Sequence, residues 1–331
     1  MASVSLANDK PSVSVITVTY NAELFITQYL ESMRVILEEN DSFSFVLVDN
    51  YSQDQTMGRV HAFFAECAHL AARILIVESG ENLGFGKGCN LGAERANAFN
   101  PDIYWFVNPD TIVRQDAAVG LLETLQIQTN VAFAGSTLSD EKGTLRSGAF
   151  RFPTLTRVFC SELTIGALEK LFPSMRHNIP IGEEAVKADW LTGASFMVKR
   201  EAFEALSGFA PEYFLYFEEV DLFYRASKLG YEAFSTPKSV VFHISGASTG
   251  INDKIAHNRK KRRPKYWFES RRHFYTSNFG SAYFTLVDLA VISANGIRQI
   301  KNLIKFSPEQ REPFLISDII QYSTFRFIKF W

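Results

Sequence analysis

Along the first part of the chain, uncharged and β-branched runs alternate with segments whose apolar residues recur at helical spacing. Ser12 to Thr19 reads Ser-Val-Ser-Val-Ile-Thr-Val-Thr, the near-continuous apolar character of a strand buried on both faces. Leu24, Tyr29, Leu30, Met33, Ile36 and Leu37 follow, and their spacing predicts the helix of a first β-α unit. Phe43 to Val48 predicts a second strand, with a helix to about Ala72, and Arg73 to Val77 a third. A glycine-rich stretch leads into a short helix over Leu91 to Asn97, and the aromatic run Ile103 to Val107 is a fourth buried strand. A helix is expected from about Thr111 to Gln128 and a strand over Val131 to Gly135. A hairpin turn at Ser139 to Gly143 then returns through Thr144 to Phe150. Pro153, Pro173 and Pro180 break up residues 153 to 185, which read as irregular or short helical, a candidate flap. Beyond them the pattern predicts a polar turn joined to a strand within Lys187 to Lys199, helices over Glu201 to Leu206 and Val220 to Leu229, and a strand over Ser239 to His243. Alternating strands and helices of this kind predict an α/β fold on a mostly parallel sheet.

Composition adds little until charge is followed along the chain. Hydrophobic residues at 47% against 21% charged are ordinary for a folded protein, but thirty Phe imply more apolar surface than one core absorbs. Residues 252 to 331 hold 15 Lys and Arg against 6 Asp and Glu, a net +9, whereas residues 1 to 251 carry 19 against 30, a net -11. The dense run Arg259-Lys260-Lys261-Arg262-Arg263-Pro264-Lys265 opens this basic end, followed by Tyr266-Trp267-Phe268 and an apolar segment from Tyr283 to Ile297 broken by Asp288. That segment is too short to span a bilayer. An interfacial helix on an anionic membrane is expected, against the alternative of helices packed on the catalytic part. No nucleic-acid motif accompanies the charge, so nucleic acid is not an expected partner. Cys67, Cys89 and Cys160 show neither paired nor metal-ligand spacing, and Met1 to Lys10 lacks an apolar run. Both features lead us to expect a cytoplasmic, reduced setting without a signal peptide.

Candidate chemistry gathers at the predicted strand ends. Asn108-Pro109-Asp110 presents a carboxylate at the C-terminal edge of the fourth strand, where open α/β sheets bind ligands. A divalent cation bridging a diphosphate suits that position, with a helix-capping Asp as the alternative. Asp49-Asn50-Tyr51-Ser52 crowds the end of the second strand. Gly84, Gly86 and Gly88 permit close backbone approach to a ligand. Their spacing and position do not match a dinucleotide fingerprint, which weakens a nicotinamide-dependent dehydrogenase reading. Glu218, Glu219 and Asp221 lie among aromatic residues. Adjacent carboxylates in an apolar setting raise each other's proton affinity, as a general base requires. Glu218 as a cap and Asp221 as a first-turn acid are the structural alternatives, and for His243 the alternative to a ligand is an ordinary hydrogen-bonding role.

Taken in order, these stretches resemble the family 2 inverting glycosyltransferases of the GT-A fold, most closely a rhamnosyltransferase-like branch that builds bacterial cell-surface polysaccharides. The resemblance covers about residues 12 to 280 and rests on Tyr20-Asn21, Asp49 to Ser52, Asn82 to Gly86, Asn108 to Asp110, Trp190 to Ala194 and Phe217 to Leu222. It implies a GT-A catalytic domain over 1–251, with a nucleotide-binding half of about 11–135 and an acceptor half of about 136–251, followed by a helical extension over 252–331. It implies a nucleotide-sugar site from Thr19, Tyr20, Asn21, Asp49, Asn50, Ser52, Asn82, Gly84, Phe85, Gly86, Asn90 and Asn108, with Asp49 at the pyrimidine edge. Trp190, Gly193, Glu218 and Asp221 are implied on the acceptor side, Glu219 as the base, and Asp110 with His243 as ligands of Mg2+ or Mn2+. The implied reaction carries a sugar, such as L-rhamnose from dTDP-L-rhamnose or a hexose from UDP, to a glycan or lipid-linked glycan. The rival from another class is a non-catalytic nucleotide- or carbohydrate-binding relative. Two departures stand out: one carboxylate where the family's metal motif has two, and Glu219 where aspartate is more usual.

Overall fold

The computed structural model describes residues 10–163, 172–244, 262–304 (side chains through 301) and 314–323. Four strands, β1 (Val13–Thr19), β2 (Phe43–Asp49), β3 (Ile74–Glu78) and β4 (Ile103–Val107), form a parallel sheet in the order β3-β2-β1-β4. The helices α1 (Ile26–Glu39), α2 (Thr56–Glu66) and α3 (Phe85–Ala96) connect them. Because β1 runs first and its neighbours leave in opposite directions, the chain switches direction between β1 and β4, and a crevice opens at the C-terminal ends of the strands. All of β2 and β4 is buried, as their largely apolar character requires.

Beyond β4 the sheet becomes mixed. β11 (Ser195–Lys199) runs antiparallel to both β4 and β6 (Val131–Ser139), and β12 (Glu232–His243) pairs in parallel with β6 and antiparallel with β5 (Thr111–Val113). The short strands β7 (Leu145–Arg146) and β9 (Val186–Ala188) attach at β6 and β12, while β8 (Ala149–Phe150) and β10 (Trp190–Leu191) pair separately. α4 (Ala117–Leu125), α5 (Leu155–Leu163), α6 (Arg200–Ala205) and α7 (Glu218–Lys228) complete this part.

Three boundaries differ from the expectation for identifiable reasons. Thr111, Ile112 and Val113 are β-branched and find a pairing edge on β12, so they form β5 and the helix waits until Ala117. Pro237 interrupts the strand pattern, yet β12 runs through it by shifting register between Thr236 and Val240, a device that accommodates proline in a strand. α3 begins at Phe85 rather than Leu91, so Gly86 and Gly88 lie in a helix instead of a ligand-cradling loop. A Cβ on Gly88 would sit 2.8 Å from Val18 Cγ1, and one on Gly92 2.4 Å from Ile16 Cγ2. These glycines let α3 lie directly on β1.

The C-terminal helices α8 (Lys265–Phe279), α9 (Ser281–Ile304) and α10 (Leu315–Tyr322) share a core with the rest. Tyr213 and Val220 cluster with Phe274, Tyr275, Phe284 and Val287. Tyr283 accepts the Leu155 N–H at 2.9 Å and Asn295 donates to Glu162 at 3.1 Å, so α9 lies along α5. Asp288, expected to interrupt an interfacial helix, is fully buried and paired with Arg271 at 2.5 Å. Phe268 is buried as well, and Trp267 packs against it and Phe217. The expected aromatic membrane anchor is therefore turned inward. Arg259, Lys260 and Lys261 lie outside the described residues.

Candidate functional site

A cleft of about 310 Å³ opens where the ends of β1, β2 and β4 meet the N-terminus of α7. Val18 and Tyr20 line it from β1, Asn50 from β2, Asn108 and Pro109 from β4, and Asn82, Gly84 and Phe85 from the turn into α3. Glu218 and Glu219 form the facing wall with Phe214, Leu215 and Tyr216, and Tyr266 reaches in from α8.

The turn preceding α3 is built by two asparagines. Asn50 Nδ2 donates to Asn82 Oδ1 and to the Gly84 carbonyl, both at 3.1 Å, while Asn50 Oδ1 accepts the Leu83 N–H and Asn82 Oδ1 the Gly84 N–H, both at 3.0 Å. Gly84 has φ +80°, and a Cβ there would stand 2.1 Å from the Phe214 carbonyl oxygen that accepts the Phe85 N–H. We expect Gly84→Ala to cost at least about 1–3 kcal/mol of stability. An unchanged urea midpoint for that variant would contradict this account of the turn.

Beside the cleft, Asn21 (φ 49°) and Tyr51 (φ 71°) take left-handed conformations. Their loops interlock, since Asn21 N–H donates to Ser52 Oγ at 3.0 Å and Asn21 Oδ1 accepts the Gln53 N–H at 2.8 Å. Asp49 is buried and its carboxylate accepts the Ser52 N–H. Thr19 is buried, and its carbonyl accepts the Asn50 N–H at 2.8 Å.

Two aromatic residues in succession, Tyr216 (φ 69°) and Phe217 (φ 67°), adopt left-handed backbone just before α7. Such conformations cost about 1–3 kcal/mol each and persist only when packing enforces them. Tyr216 stacks on Tyr266, and Phe217 is held by Trp267, Phe274 and Tyr275. The bend delivers Glu218 and Glu219 to the cleft on the first turn of α7. There Glu219 Oε1 accepts the Gly193 N–H at 3.2 Å. A Cβ at 193 would stand 2.6 Å from that same oxygen, so any larger residue there would push the Glu219 carboxylate out of this position. Burial pushes the Glu219 carboxyl above its ordinary range, with the Gly193 hydrogen bond opposing the shift. Burial, and then the charge of Glu219, pushes Glu218 well above that range. Glu218 is 2% exposed and its Oε2 meets no hydrogen-bond partner, whereas Glu219 is only half-buried.

Asp110 is not a helix cap, because it precedes β5 and the next helix begins at Ala117 after Asp116. The pairing of β5 with β12 instead sets His243 beside it, with His243 Nε2 3.5 Å from Asp110 Oδ1. Two ligands of one cation, each about 2.0–2.2 Å from it, stand about 3.0–3.5 Å apart, so the pair fits a shared divalent ion. Among the described residues no group of three or more His, Cys, Asp or Glu forms a metal cage. A two-ligand site leaves positions for phosphate oxygens and water. The mixed carboxylate and imidazole set suits Mn2+ better than Mg2+, which favours oxygen alone.

Four expected site residues lie elsewhere. Asp221 is buried and accepts hydrogen bonds from Arg225 at 2.7 Å and from Tyr213 and Asn278 at 3.2 Å, tying α7 to α8. Asn90 clamps the backbone N–H and carbonyl of Phe209. Trp190 stacks on Phe150 at 4.4 Å and donates to the Arg151 carbonyl. Gly86 is buried in α3 against Phe209. Conversely, Phe214, Leu215, Tyr216 and Tyr266 line the cleft without having been singled out. The first three sit in the aromatic stretch ahead of the acidic run, where the signal was available. Tyr266 sits in the run assigned to the membrane.

Comparison with known proteins gives the family and the fold. The family model described as glycosyl transferase family 2 matches residues 14–207. An N-acetylglucosaminyl-diphospho-decaprenol L-rhamnosyltransferase of Mycobacterium tuberculosis (strain H37Rv) is 28% identical over 279 residues, covering 78% of this chain and 84% of the relative. Rhamnosyltransferase WbbL of Escherichia coli K12 is 27% identical over 241 residues, covering 70% and 83%. Among solved structures, the mannosyltransferase PcManGT from Pyrobaculum calidifontis, in complex with GDP-Man and Mn2+, superposes with a TM-score of 0.55 at 16% identity, covering 97% of this chain and 88% of that one. That likeness shows the GT-A fold. The family model spans more than half of the chain, over the strands that build the cleft, and the chain belongs to glycosyl transferase family 2.

Proposed function

We propose that this glycosyltransferase moves L-rhamnose from dTDP-L-rhamnose to a glycan or lipid-linked glycan acceptor in the synthesis of a bacterial cell-surface polysaccharide, with inversion at the anomeric carbon. Two similar curated proteins are named as rhamnosyltransferases, and the acceptor in one name is a diphospho-decaprenol sugar. The observation that carries the chemistry is the Glu219 carboxylate, fixed by the Gly193 N–H in the wall of the cleft to which the ends of β1, β2 and β4 contribute.

Inversion by direct displacement needs a base that takes the proton of the attacking hydroxyl, opposite the leaving group. Glu219 is the group for this step. It is held in one orientation, with its proton affinity raised by burial. Glu218, buried behind it, has its proton affinity raised by burial and then by the charge of Glu219, so the two carboxyls titrate as a pair. Tyr20 and the Asn50–Asn82 turn support the nucleotide, and Asp49 retains lone pairs for the pyrimidine edge beyond those used by Ser52. Asp110 and His243 would hold Mg2+ or Mn2+, which when bound neutralises charge on the departing diphosphate. Transfer from a UDP-hexose would use the same residues. The donor is decided by nucleoside diphosphate release across dTDP-L-rhamnose and UDP-hexoses, where release from UDP-hexoses alone overturns the rhamnose assignment. A non-catalytic relative would bind nucleotides without releasing product.

We also propose that the enzyme works against an anionic membrane at the cytoplasmic face. Among the described residues no helix is long and apolar enough to cross one. Instead Leu286, Leu289, Ile297 and Ile300 are exposed along α9, at spacings that place them on one stripe, in the part of the chain that carries the net +9. Sedimentation with phosphatidylglycerol vesicles is expected to fall about ten-fold for Leu286→Gln/Ile297→Gln. Undiminished sedimentation would show that α9 is not the seat.

A further inference from the structure

The segment that carries Glu219 to the cleft leans on one helix. From Tyr213 to Phe217 every residue meets α8. The Tyr213 ring stands edge-on to His273 at 5.0 Å between centroids, and Phe214 edge-on to Tyr266 at 5.5 Å. The Leu215 carbonyl accepts a hydrogen bond from Ser270 Oγ at 3.0 Å. Tyr216 stacks on Tyr266 at 6.0 Å, and Phe217 meets Trp267 at 5.9 Å and Phe274 at 5.7 Å. Past the bend, Asn278 donates to Asp221 on the first turn of α7. Residues 266, 267, 270, 274 and 278 recur at helical spacing, so one face of α8 follows the whole approach to the base.

The bend has no local support of its own. Phe217 occupies the N-cap position of α7 in left-handed backbone and makes no side-chain cap hydrogen bond, and Tyr216 before it is left-handed too. Bulky residues leave that region unless their surroundings over-determine it. Phe217 and Trp267 also line a second cavity, of about 190 Å³, whereas Glu218 and Glu219 line the cleft. That cavity gives the Phe217 ring space to turn into, so its aromatic neighbours rather than close packing on every side hold it in place. Because Trp267 lines the cavity and not the cleft, its effect on the reaction passes through Phe217.

We infer that Trp267 is a positioning residue for sugar transfer, which holds Glu219 at the Gly193 N–H by fixing the left-handed bend at Phe217. The inference rests on Glu219 being the base. It makes α8 a working part of the catalytic apparatus and not an appendage to it, since a shift of α8 moves the base. Misplacing a reacting group by about 1 Å can cost about 100-fold in rate.

The test reads two quantities in the full chain: amide hydrogen exchange at Gly193, whose N–H Glu219 accepts, and steady-state transfer. Trp267→Ala should speed exchange at Gly193 toward the rate found in Glu219→Ala. It should lower kcat about 10- to 100-fold while donor KM and dTDP affinity stay unchanged. Trp267→Phe keeps a ring against Phe217 and should recover most of the lost kcat. In the Phe217→Gly background, Trp267→Ala should lower kcat no further, because the residue it acts through is already gone. Ile319→Ala, on α10 in the cluster around Phe268, loosens the same helices away from the bend. It should lower the urea midpoint and keep kcat. A kcat that falls with stability alike in Ile319→Ala and Trp267→Ala would make the role of Trp267 merely structural and overturn the inference. Unchanged exchange at Gly193 in Trp267→Ala, or additive losses in the double variant, overturns it too. A wild type that binds dTDP yet transfers no sugar counts instead against the glycosyltransferase reading. Exchange at Gly193 still decides what holds Glu219 in that case, so the two failures are distinguishable.

Discussion

Glu219→Gln should lower the rate of sugar transfer about 100- to 10,000-fold, the usual cost of removing a positioned general base, while donor affinity is retained. The glutamine keeps its carbonyl oxygen where Gly193 donates, so the loop and the cleft keep their shape and only the proton acceptor is lost. Glu218→Gln is the control. Glu218 is buried with an unmet oxygen, and its loss removes a desolvated acid without removing the base. Should Glu218→Gln be the inactive variant and Glu219→Gln the active one, the base is misassigned by one residue. The pH dependence follows from the same burial. A base must be ionised to work, so the acid limb of kcat/KM should lie above the ordinary glutamate value of 4.5. For stability the sign is opposite. Both carboxyls have folded proton affinities above their unfolded values, so the stability they contribute is fully present below the unfolded range and is lost as pH rises through the folded one.

Asp110→Ala should abolish turnover at ordinary metal concentrations with little effect on folding. A helix cap in its place would cost about 1 kcal/mol of stability and leave catalysis alone, but the next helix starts too far along for Asp110 to cap it. The carboxylate is buried beside His243 at the sheet edge, and deleting it leaves imidazole as the sole member of the pair. His243→Ala should weaken activation by Mn2+ and shift the half-activating concentration upward, without abolishing the reaction at saturating metal. Full activity of Asp110→Ala in excess chelator would exclude the metal role.

Much of the fold was legible in the sequence because β1, β2 and β4 are buried inside the sheet and are therefore written in uncharged, largely apolar runs, with the edge strand β3 only partly covered. The placement of Glu219 in the first turn of a helix, and of Asp110 and His243 at strand ends, was legible as well, since each adjoins a recognisable pattern. What was misread has physical causes. Gly86 and Gly88 have the composition of a phosphate-binding loop but serve the close contact of α3 with β1. Asp221 looks like a partner of the base in a one-dimensional run, yet its helical position turns it away, toward Tyr213, Arg225 and Asn278. Tyr266 and Trp267 follow a basic run and so resemble a membrane anchor. In the fold they are cleft and cavity walls, because Tyr216 and Phe217 need partners for their left-handed backbone. Contacts between segments so distant in the chain leave no local pattern to read.

Acceptor-dependent release of nucleoside diphosphate from a panel of dTDP-, UDP- and GDP-sugars, with Mn2+ and a short-chain lipid-linked N-acetylglucosaminyl diphosphate, tests sugar transfer by this cleft most directly. Release of dTDP from dTDP-L-rhamnose, stopped by chelator and by Glu219→Gln, is the predicted result. Tight nucleotide binding with no release from any sugar nucleotide would contradict it and mark the chain as a binding protein.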